Sequence, residues 1–116
     1  MTTAAISLTP VCAVDVIPLE GGVAALVDGS AVAVFRSFDG SVFALSNIDP
    51  FSGASVLSRG LVGTRGDVPV VSSPMYKQAF DLRTGACLDD ATVRVASYDV
   101  AVVDGVVHVG PAREVA

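Results

Sequence analysis

Short runs of apolar and β-branched residues, interrupted every few positions by turn residues, dominate the pattern of this chain. Asp-Gly dipeptides at 28–29, 39–40 and 104–105 each stand between two such runs. Asp-Gly favours a type I′ turn, in which both central residues have positive φ, and this turn joins antiparallel strands. The pattern therefore predicts three β-hairpins, formed by Val23–Val27 with Ala31–Phe35, Ala33–Arg36 with Ser41–Leu45, and Tyr98–Val103 with Val106–Val109.

Four further segments have the composition of strands: Val11–Ile17, Val68–Ser72, Gln78–Asp81 and Ala86–Leu88. A tight turn with Gly85 in the left-handed conformation is expected to join the last two. Only a short helical turn near Ser55–Ser58 is predicted, since no longer segment has a period of 3.6 residues. About nine short strands indicate an all-β sandwich or small barrel.

The length of 116 residues suits one domain, with a core over about 8–110. We expect the tails, Met1–Ser7 and Pro111–Ala116, to be loosely held. The chain is 52% apolar and only 16% charged, whereas about 25% charged residues is usual. Two explanations stay open: a partner covers part of the surface, or a Val/Ala-rich core simply has a sparse polar surface.

Charge and cysteine content exclude several classes of function. A net charge of −5, with seven scattered basic residues, argues against nucleic-acid binding, which needs clustered Lys and Arg. No run approaches the roughly 18 apolar residues of a membrane span. The two cysteines, Cys12 and Cys87, form no disulfide framework, and the N-terminus lacks the basic region of a signal peptide. These features favour a cytoplasmic location.

A search for catalytic and metal-binding residues finds no candidates. The single histidine, His108, lies inside a predicted strand, without a nucleophile nearby in the sequence. One histidine and two distant cysteines do not supply a metal site. The segment Asn47–Tyr76 differs from the rest because it is rich in Gly, Pro and Ser. Long loops in compact domains are usually functional, so this segment is where a site is expected.

Two loops in and beyond this segment resemble those of Rieske proteins, which hold a [2Fe–2S] cluster with two Cys and two His ligands. The Rieske loops read C-P-H-x-G, and C-P-x-H followed by an aromatic-Asp pair and a Thr-Gly turn. Here the corresponding segments are Asp49–Gly53, Ser73–Tyr76 and Phe80–Gly85. The prolines, the glycine and the Phe-Asp and Thr-Gly pairs are kept. The resemblance implies a Rieske-type antiparallel sandwich of three small sheets.

All four ligand positions of the Rieske pattern are occupied by other residues. Asp49 and Ser73 stand in place of cysteine, and Phe51 and Tyr76 in place of histidine. Phenylalanine cannot bind iron, and none of the four carries sulfur. We therefore expect no iron–sulfur cluster, and no catalytic, cofactor-binding or metal-binding residue, on this chain.

The amino-acid sequence of these loops is even more similar to that of one group of Rieske-like proteins that lack the iron–sulfur cluster. The segments Asn47–Ala54, Val56–Gly60 and Ser73–Gly85 resemble the small subunit (NirD type) of assimilatory NAD(P)H-dependent nitrite reductase. That resemblance implies a non-catalytic subunit of a cytoplasmic complex. The partner would be a large subunit that carries FAD, siroheme and a [4Fe–4S] cluster and reduces nitrite to ammonium. Two alternatives are a Rieske ferredoxin of a ring-hydroxylating dioxygenase and a free-standing binding module.

Apolar residues at the two loop tips have two interpretations. They could pack together and close the vacant cluster site, or they could form a docking patch, since aromatic and Met side chains are common in interface cores. Both can hold, with Phe51 inward and Met75 or Tyr76 outward. Arg59, Arg65 and Lys77 are expected at the polar rim. The partner-binding candidates are thus Phe51, Met75, Tyr76, Lys77 and Arg59.

Overall fold

The computed structural model describes residues 8–75 and 77–113, and the regular secondary structure in this part of the chain is almost entirely β-strand. Nine strands are present in it: β1 (Thr9–Ala13), β2 (Gly21–Val27), β3 (Ser30–Arg36), β4 (Val42–Ser46), β5 (Leu61–Arg65), β6 (Val68–Ser72), β7 (Ala79–Asp81), β8 (Ser97–Val103) and β9 (Val106–Ala112). Two short 3₁₀ helices, Val14–Val16 and Leu57–Arg59, complete the elements. The all-β expectation is confirmed. Across the described ranges, no helix has the length and apolar character needed to cross a membrane.

The strands form two antiparallel sheets, and this corrects the expectation of three. One sheet has the order β1-β9-β8-β4-β3-β2 and the other β5-β6-β7. In the larger sheet, β4 and β8 are joined by two residue pairs, Ala44 with Tyr98 and Leu45 with Ser97. The six-stranded sheet therefore consists of two three-stranded halves that merge along a short seam. Three-stranded units are present, but two of them share backbone hydrogen bonds.

Two of the three expected hairpin turns have the predicted form. Asp28 and Gly29 have φ of 49° and 81°, and Asp104 and Gly105 have φ of 52° and 77°, as type I′ turns require. The turn at Asp39 differs, because only its glycine has positive φ. There the loop spans residues 37–41, and the Asp39 carboxylate accepts bonds from the Ser37 hydroxyl and the Ser41 amide.

The first predicted strand is shorter than expected and the last one longer. Val11–Ile17 was expected to be one strand, but β1 ends at Ala13 and a 3₁₀ helix follows, whose first amide donates to the carbonyl of Gly105. At the other end, β9 continues to Ala112, and the amide of Arg113 donates to the carbonyl of Ser97. The expectation of a loose tail from Pro111 is therefore wrong for these residues. Residues 1–7 and 114–116 lie outside the described ranges.

The middle of the chain contains the other differences. Strand β5 pairs with β6 along its whole length but was not predicted, because Gly63 and Thr64 interrupt its apolar pattern. Ala86–Leu88 is not a strand; single bridges join Cys87 to Phe80 and Ala86 to Arg94. The predicted helical turn is present two residues later, as the 3₁₀ helix Leu57–Arg59.

Two hydrophobic clusters fill the interior. One lies inside the curved six-stranded sheet and includes Ile17, Val34 and Val107. The other lies between the two sheets, beneath the loops of the middle segment, and its buried aromatic side chains are Phe35 and Phe80. The second cluster packs beneath the loops in which the sequence predicts the site.

Candidate functional site

Three loops of the chain share one construction. They are Asp49–Gly53, Ser73–Lys77 and Asp81–Gly85. In each, the amide of the fifth residue donates to the carbonyl of the first, over 2.7, 2.9 and 2.7 Å. The side-chain oxygen of the first residue accepts the amide of the third, over 2.8, 3.1 and 2.8 Å. The fifth residue has φ of 76°, 65° and 82°. Asp and Ser favour such local bonds, which explains their place at each loop start.

The first two loops are tied together through their first residues. The Ser73 hydroxyl donates a hydrogen bond to the Asp49 carboxylate. Both residues are buried, with 0% of Asp49 and 1% of Ser73 exposed. These are two of the four positions that the sequence aligned with Rieske ligands, and the fold brings them into direct contact.

Phe51 and Met75, at the tips of the two loops, point in different directions. The Phe51 ring packs against the buried ring of Phe80, with centroids 6.2 Å apart and planes tilted by 49°. Phe51 thus joins the cluster between the sheets. Met75 is 51% exposed. Tyr76, the fourth aligned position, lies outside the described residues.

The third loop is a structural turn, as the sequence predicted for Gly85. A Cβ at this position would overlap the carbonyl oxygen of Val95, in addition to the positive φ. Asp81, which begins the loop, accepts the Arg83 amide and forms an ion pair of 3.0 Å with its guanidinium. The Thr84 hydroxyl accepts the amide of Ala86.

Beside the second loop lies a mostly apolar cleft of about 370 Å³. Its lining residues come from the 3₁₀ helix, from β5 and β6, and from the second loop: Arg59, Leu61, Ser72, Ser73, Pro74 and Lys77. Leu61 is 80% exposed at the mouth. The sequence interpretation missed Leu61 because it missed β5. The fold therefore brings Arg59 and Lys77 together around this cleft.

Arg65, expected at the same rim, has a different environment. Its guanidinium lies 2.9 Å from the carboxylate of Asp89. This bond, together with the amide of Ala79, lowers the pKa of Asp89. Arg65 does not line the cleft and pairs with Asp89 instead. In the described part of the chain, Arg59 and Lys77 take no part in ion pairs.

Comparison with known families agrees with this geometry. Residues 7–110 match the model of the Rieske-like [2Fe-2S] domain. The chain is also 48% identical over 99 residues to the NADH nitrite reductase small subunit of Salmonella typhimurium, which covers 84% of this chain and 92% of that protein. The chain belongs to the family of nitrite reductase small subunits. The resemblance inferred from the loops is confirmed.

Two further relatives place this small subunit among known proteins. A crystal structure from Mycobacterium tuberculosis, described as an NADH-dependent nitrite reductase small subunit, has a TM-score of 0.87 and 49% identity. It covers 96% of this chain and 98% of that one. A nitrite reductase [NAD(P)H] large subunit of Klebsiella oxytoca contains a stretch 43% identical over 100 residues. That match covers 86% of this chain and 10% of the Klebsiella protein.

The residues present do not fit the [2Fe–2S] cluster for which the wider family is named. A Rieske centre needs two thiolates and two imidazoles. Among the described ligand positions, Phe51 has no donor atom, and the oxygens of Asp49 and Ser73 bond to one another. Cys12 lies on β1, where burial raises the pKa of its thiol. The described ranges contain no group of three or more His, Cys, Asp or Glu side chains arranged for a metal ion.

Proposed function

We propose that this chain is the cofactor-free small subunit of a cytoplasmic NAD(P)H-dependent nitrite reductase. It is a single domain that binds and supports a large subunit carrying FAD, siroheme and a [4Fe–4S] cluster. The complex reduces nitrite to ammonium in nitrate assimilation. The bond between Asp49 and Ser73 carries this proposal, because in a member of this family it occupies the place of the two cysteine ligands.

Association with a large subunit has independent support from the Klebsiella relative. There, a stretch related to nearly the whole of this chain is part of a protein named as the large subunit. Two units that exist as one polypeptide in one organism act side by side there. The same proximity in a two-chain enzyme requires a binding surface on this domain.

We assign that surface to the loop end of the domain. Met75 is exposed at the tip of the second loop, and Arg59 and Lys77 flank the neighbouring cleft. Tyr76 remains a predicted member of the surface on the basis of its sequence position alone. Phe51, also predicted as a contact residue, packs inward on Phe80, and we assign it to closing the former cluster site.

Reconstitution tests the proposal. A tagged large subunit is co-expressed with this chain, and the two are expected to co-purify in a fixed ratio. NADH-dependent consumption of nitrite and formation of ammonium are then measured for the large subunit with and without this chain. Co-purification with activity that depends on the small subunit supports the proposal. A large subunit that neither binds this chain nor responds to it contradicts the proposal.

The spectrum of the isolated chain separates the subunit from an electron carrier. A Rieske ferredoxin absorbs visible light and contains iron and sulfide, whereas the chain proposed here is colourless. Expression together with the cluster-assembly machinery is the stringent condition. Stoichiometric iron under that condition would favour the ferredoxin alternative. A small molecule that binds the isolated chain tightly in the absence of the large subunit would favour the free-standing binding module.

A further inference from the structure

The backbone at Lys77 adopts a left-handed conformation, which is unfavourable for any residue that has a side chain. In the three loops of identical construction, the fifth residue is Gly53, Lys77 and Gly85, and all three have positive φ. The left-handed conformation brings a Cβ too close to the following carbonyl oxygen, and glycine, which has no Cβ, avoids this clash. Local folding alone therefore favours glycine at position 77. Unfavourable backbone conformations cluster at functional sites. Asp28 and Asp104 also have positive φ, but both belong to two-residue hairpin turns that require it, whereas Lys77 does not.

The charge around the cleft is opposite to that of the chain as a whole. The protein has 12 acidic and seven basic residues and a net charge of −5. Yet both charged side chains that line the cleft, Arg59 and Lys77, are cationic. The three ion pairs found among the described residues use Arg65, Arg83 and Arg113 instead. Two cations without a carboxylate partner in this part of the chain thus flank an apolar cleft.

We infer that the cleft holds an acidic segment of the large subunit in which a bulky apolar side chain stands beside one or two carboxylates. The apolar side chain contacts Leu61 and Pro74, and the carboxylates pair with Arg59 and Lys77. This inference rests on the proposed function and adds to it the chemistry of the partner segment. Lysine occupies position 77 despite the unfavourable backbone conformation, because this contact requires a cation that glycine would not provide.

A second copy of this chain is the competing occupant. Its exposed apolar residues that stand next to a carboxylate in the sequence include Val16, Leu19, Phe38, Leu88 and Val103. The large subunit is favoured because a stretch related to this chain is part of the Klebsiella protein named as the large subunit. Self-association through the cleft is one outcome of the test and would overturn the inference.

Lys77→Gly gives the most informative test, because it should move stability and affinity in opposite directions. Relief of the left-handed strain is expected to raise the melting temperature of the isolated full chain by about 3 °C. Loss of the cation is expected to weaken binding to the purified large subunit by about fivefold. A residue with a purely structural role would not give a more stable chain that binds less well.

Three further variants separate charge from apolar contact. The double variant R59E/K77E should weaken binding by at least about fiftyfold at low salt and less at high salt. Leu61→Ser should weaken it by about tenfold, with little change in melting temperature, because Leu61 is already exposed. Arg94→Gln is the matched control: Arg94 donates to the carbonyl of Thr84, does not line the cleft, and should change affinity less than about twofold.

The outcomes distinguish the inference from the proposed function. If the wild-type chain does not bind the large subunit, the proposed function fails. If the wild-type chain binds and all cleft variants bind equally well, only the inference is overturned. If the double variant abolishes self-association in sedimentation experiments while binding to the large subunit persists, the occupant is a second copy, and the inference is likewise overturned.

Discussion

The hydrogen bond that joins the first two loops can be removed by the substitution Ser73→Ala. The Ser73 hydroxyl donates to the Asp49 carboxylate and accepts the amide of Met75. After the substitution, the Asp49 carboxylate keeps the amide of Phe51 at 2.8 Å but loses its hydroxyl donor. Because Asp49 is fully buried, water does not readily replace that donor. The amide of Met75, in contrast, is near the surface and can be solvated.

The expected loss follows from the charge and the burial of the acceptor. A hydrogen bond to a charged group contributes about 1.5–3 kcal/mol, more than a bond between neutral groups. We expect Ser73→Ala to lower the free energy of unfolding by about 2–3 kcal/mol. For a domain of this size, 1 kcal/mol corresponds to about 4 °C in melting temperature. The variant should therefore melt about 8–12 °C below the wild type.

Urea unfolding followed by circular dichroism measures this loss, with Ser52→Ala as the control. The Ser52 hydroxyl accepts the amide of Ala54 at 3.1 Å in the first loop and makes no bond to a carboxylate in the described structure. Its removal should lower the free energy of unfolding by less than about 1 kcal/mol. A double-mutant cycle of Ser73→Ala with Asp49→Asn should give a coupling energy of about 1–2 kcal/mol. If Ser73→Ala is no more destabilising than Ser52→Ala, the two loops are not held by this bond.

Three other outcomes are expected. Gly85→Val should destabilise the chain by well over about 1 kcal/mol, because its Cβ overlaps the Val95 carbonyl as well as adopting positive φ. Gly53→Val, at positive φ in open space, is the matched comparison, and equal melting temperatures for the two variants would refute the overlap. Tyr76→Ala should weaken binding to the large subunit by about 2 kcal/mol, roughly thirtyfold, and leave the melting temperature of the free chain unchanged. A lower melting temperature with intact binding would instead mean that Tyr76 closes the former cluster site. Bonds from the Ser37 hydroxyl and the Ser41 amide lower the pKa of Asp39 from 3.8 to about 2. The stabilisation from this loop is therefore complete above pH 3.8 and lost as pH falls through about 2. The amide resonance of Ser41 should titrate with a midpoint near pH 2 in wild type and lose this transition in Asp39→Asn, whereas a midpoint near 3.8 would contradict the bonds.

Local signals in the sequence predicted most of the strands but not how the sheets are joined. Asp28-Gly29 and Asp104-Gly105 specify their hairpins because both residues of the turn must have positive φ. At Asp39 the same dipeptide forms a longer loop, because the Asp side chain bonds to the amide of Ser41 and stabilises a different turn. Strand β5 has little local signal and exists because β6 provides a partner for its backbone. The merging of β4 with β8 depends on distant segments, so no local pattern predicts it.

The part of the site that depends on residue type could be predicted from the sequence. The part that depends on contacts between distant segments could not. The loop residues at 49, 51 and 73 were identified because a ligand pattern had been replaced position by position. The hydrogen bond between Ser73 and Asp49 forms because two loops distant in the sequence meet in the fold. The sequence alone does not predict this contact. Arg65 was expected at the rim by proximity in sequence, but the position of Asp89 draws it away. Leu61 had no such signal, because Gly63 and Thr64 interrupt the apolar pattern of β5.

The geometry of the loops explains how a Rieske-like fold persists without a metal cluster. In a Rieske protein the cluster links two loops covalently. Here each loop is shaped by its own bonds, an amide to the carbonyl four residues earlier and an amide to the first side chain, so neither needs a metal to adopt its form. The first two loops are linked instead by the hydrogen bond from the Ser73 hydroxyl to the Asp49 carboxylate. The Phe51 ring of the first loop also packs on Phe80. Met75, in contrast to Phe51, is exposed, and Lys77 lines the neighbouring cleft. We propose that these two side chains contact another protein, which is the role that the charge and shape of the cleft support.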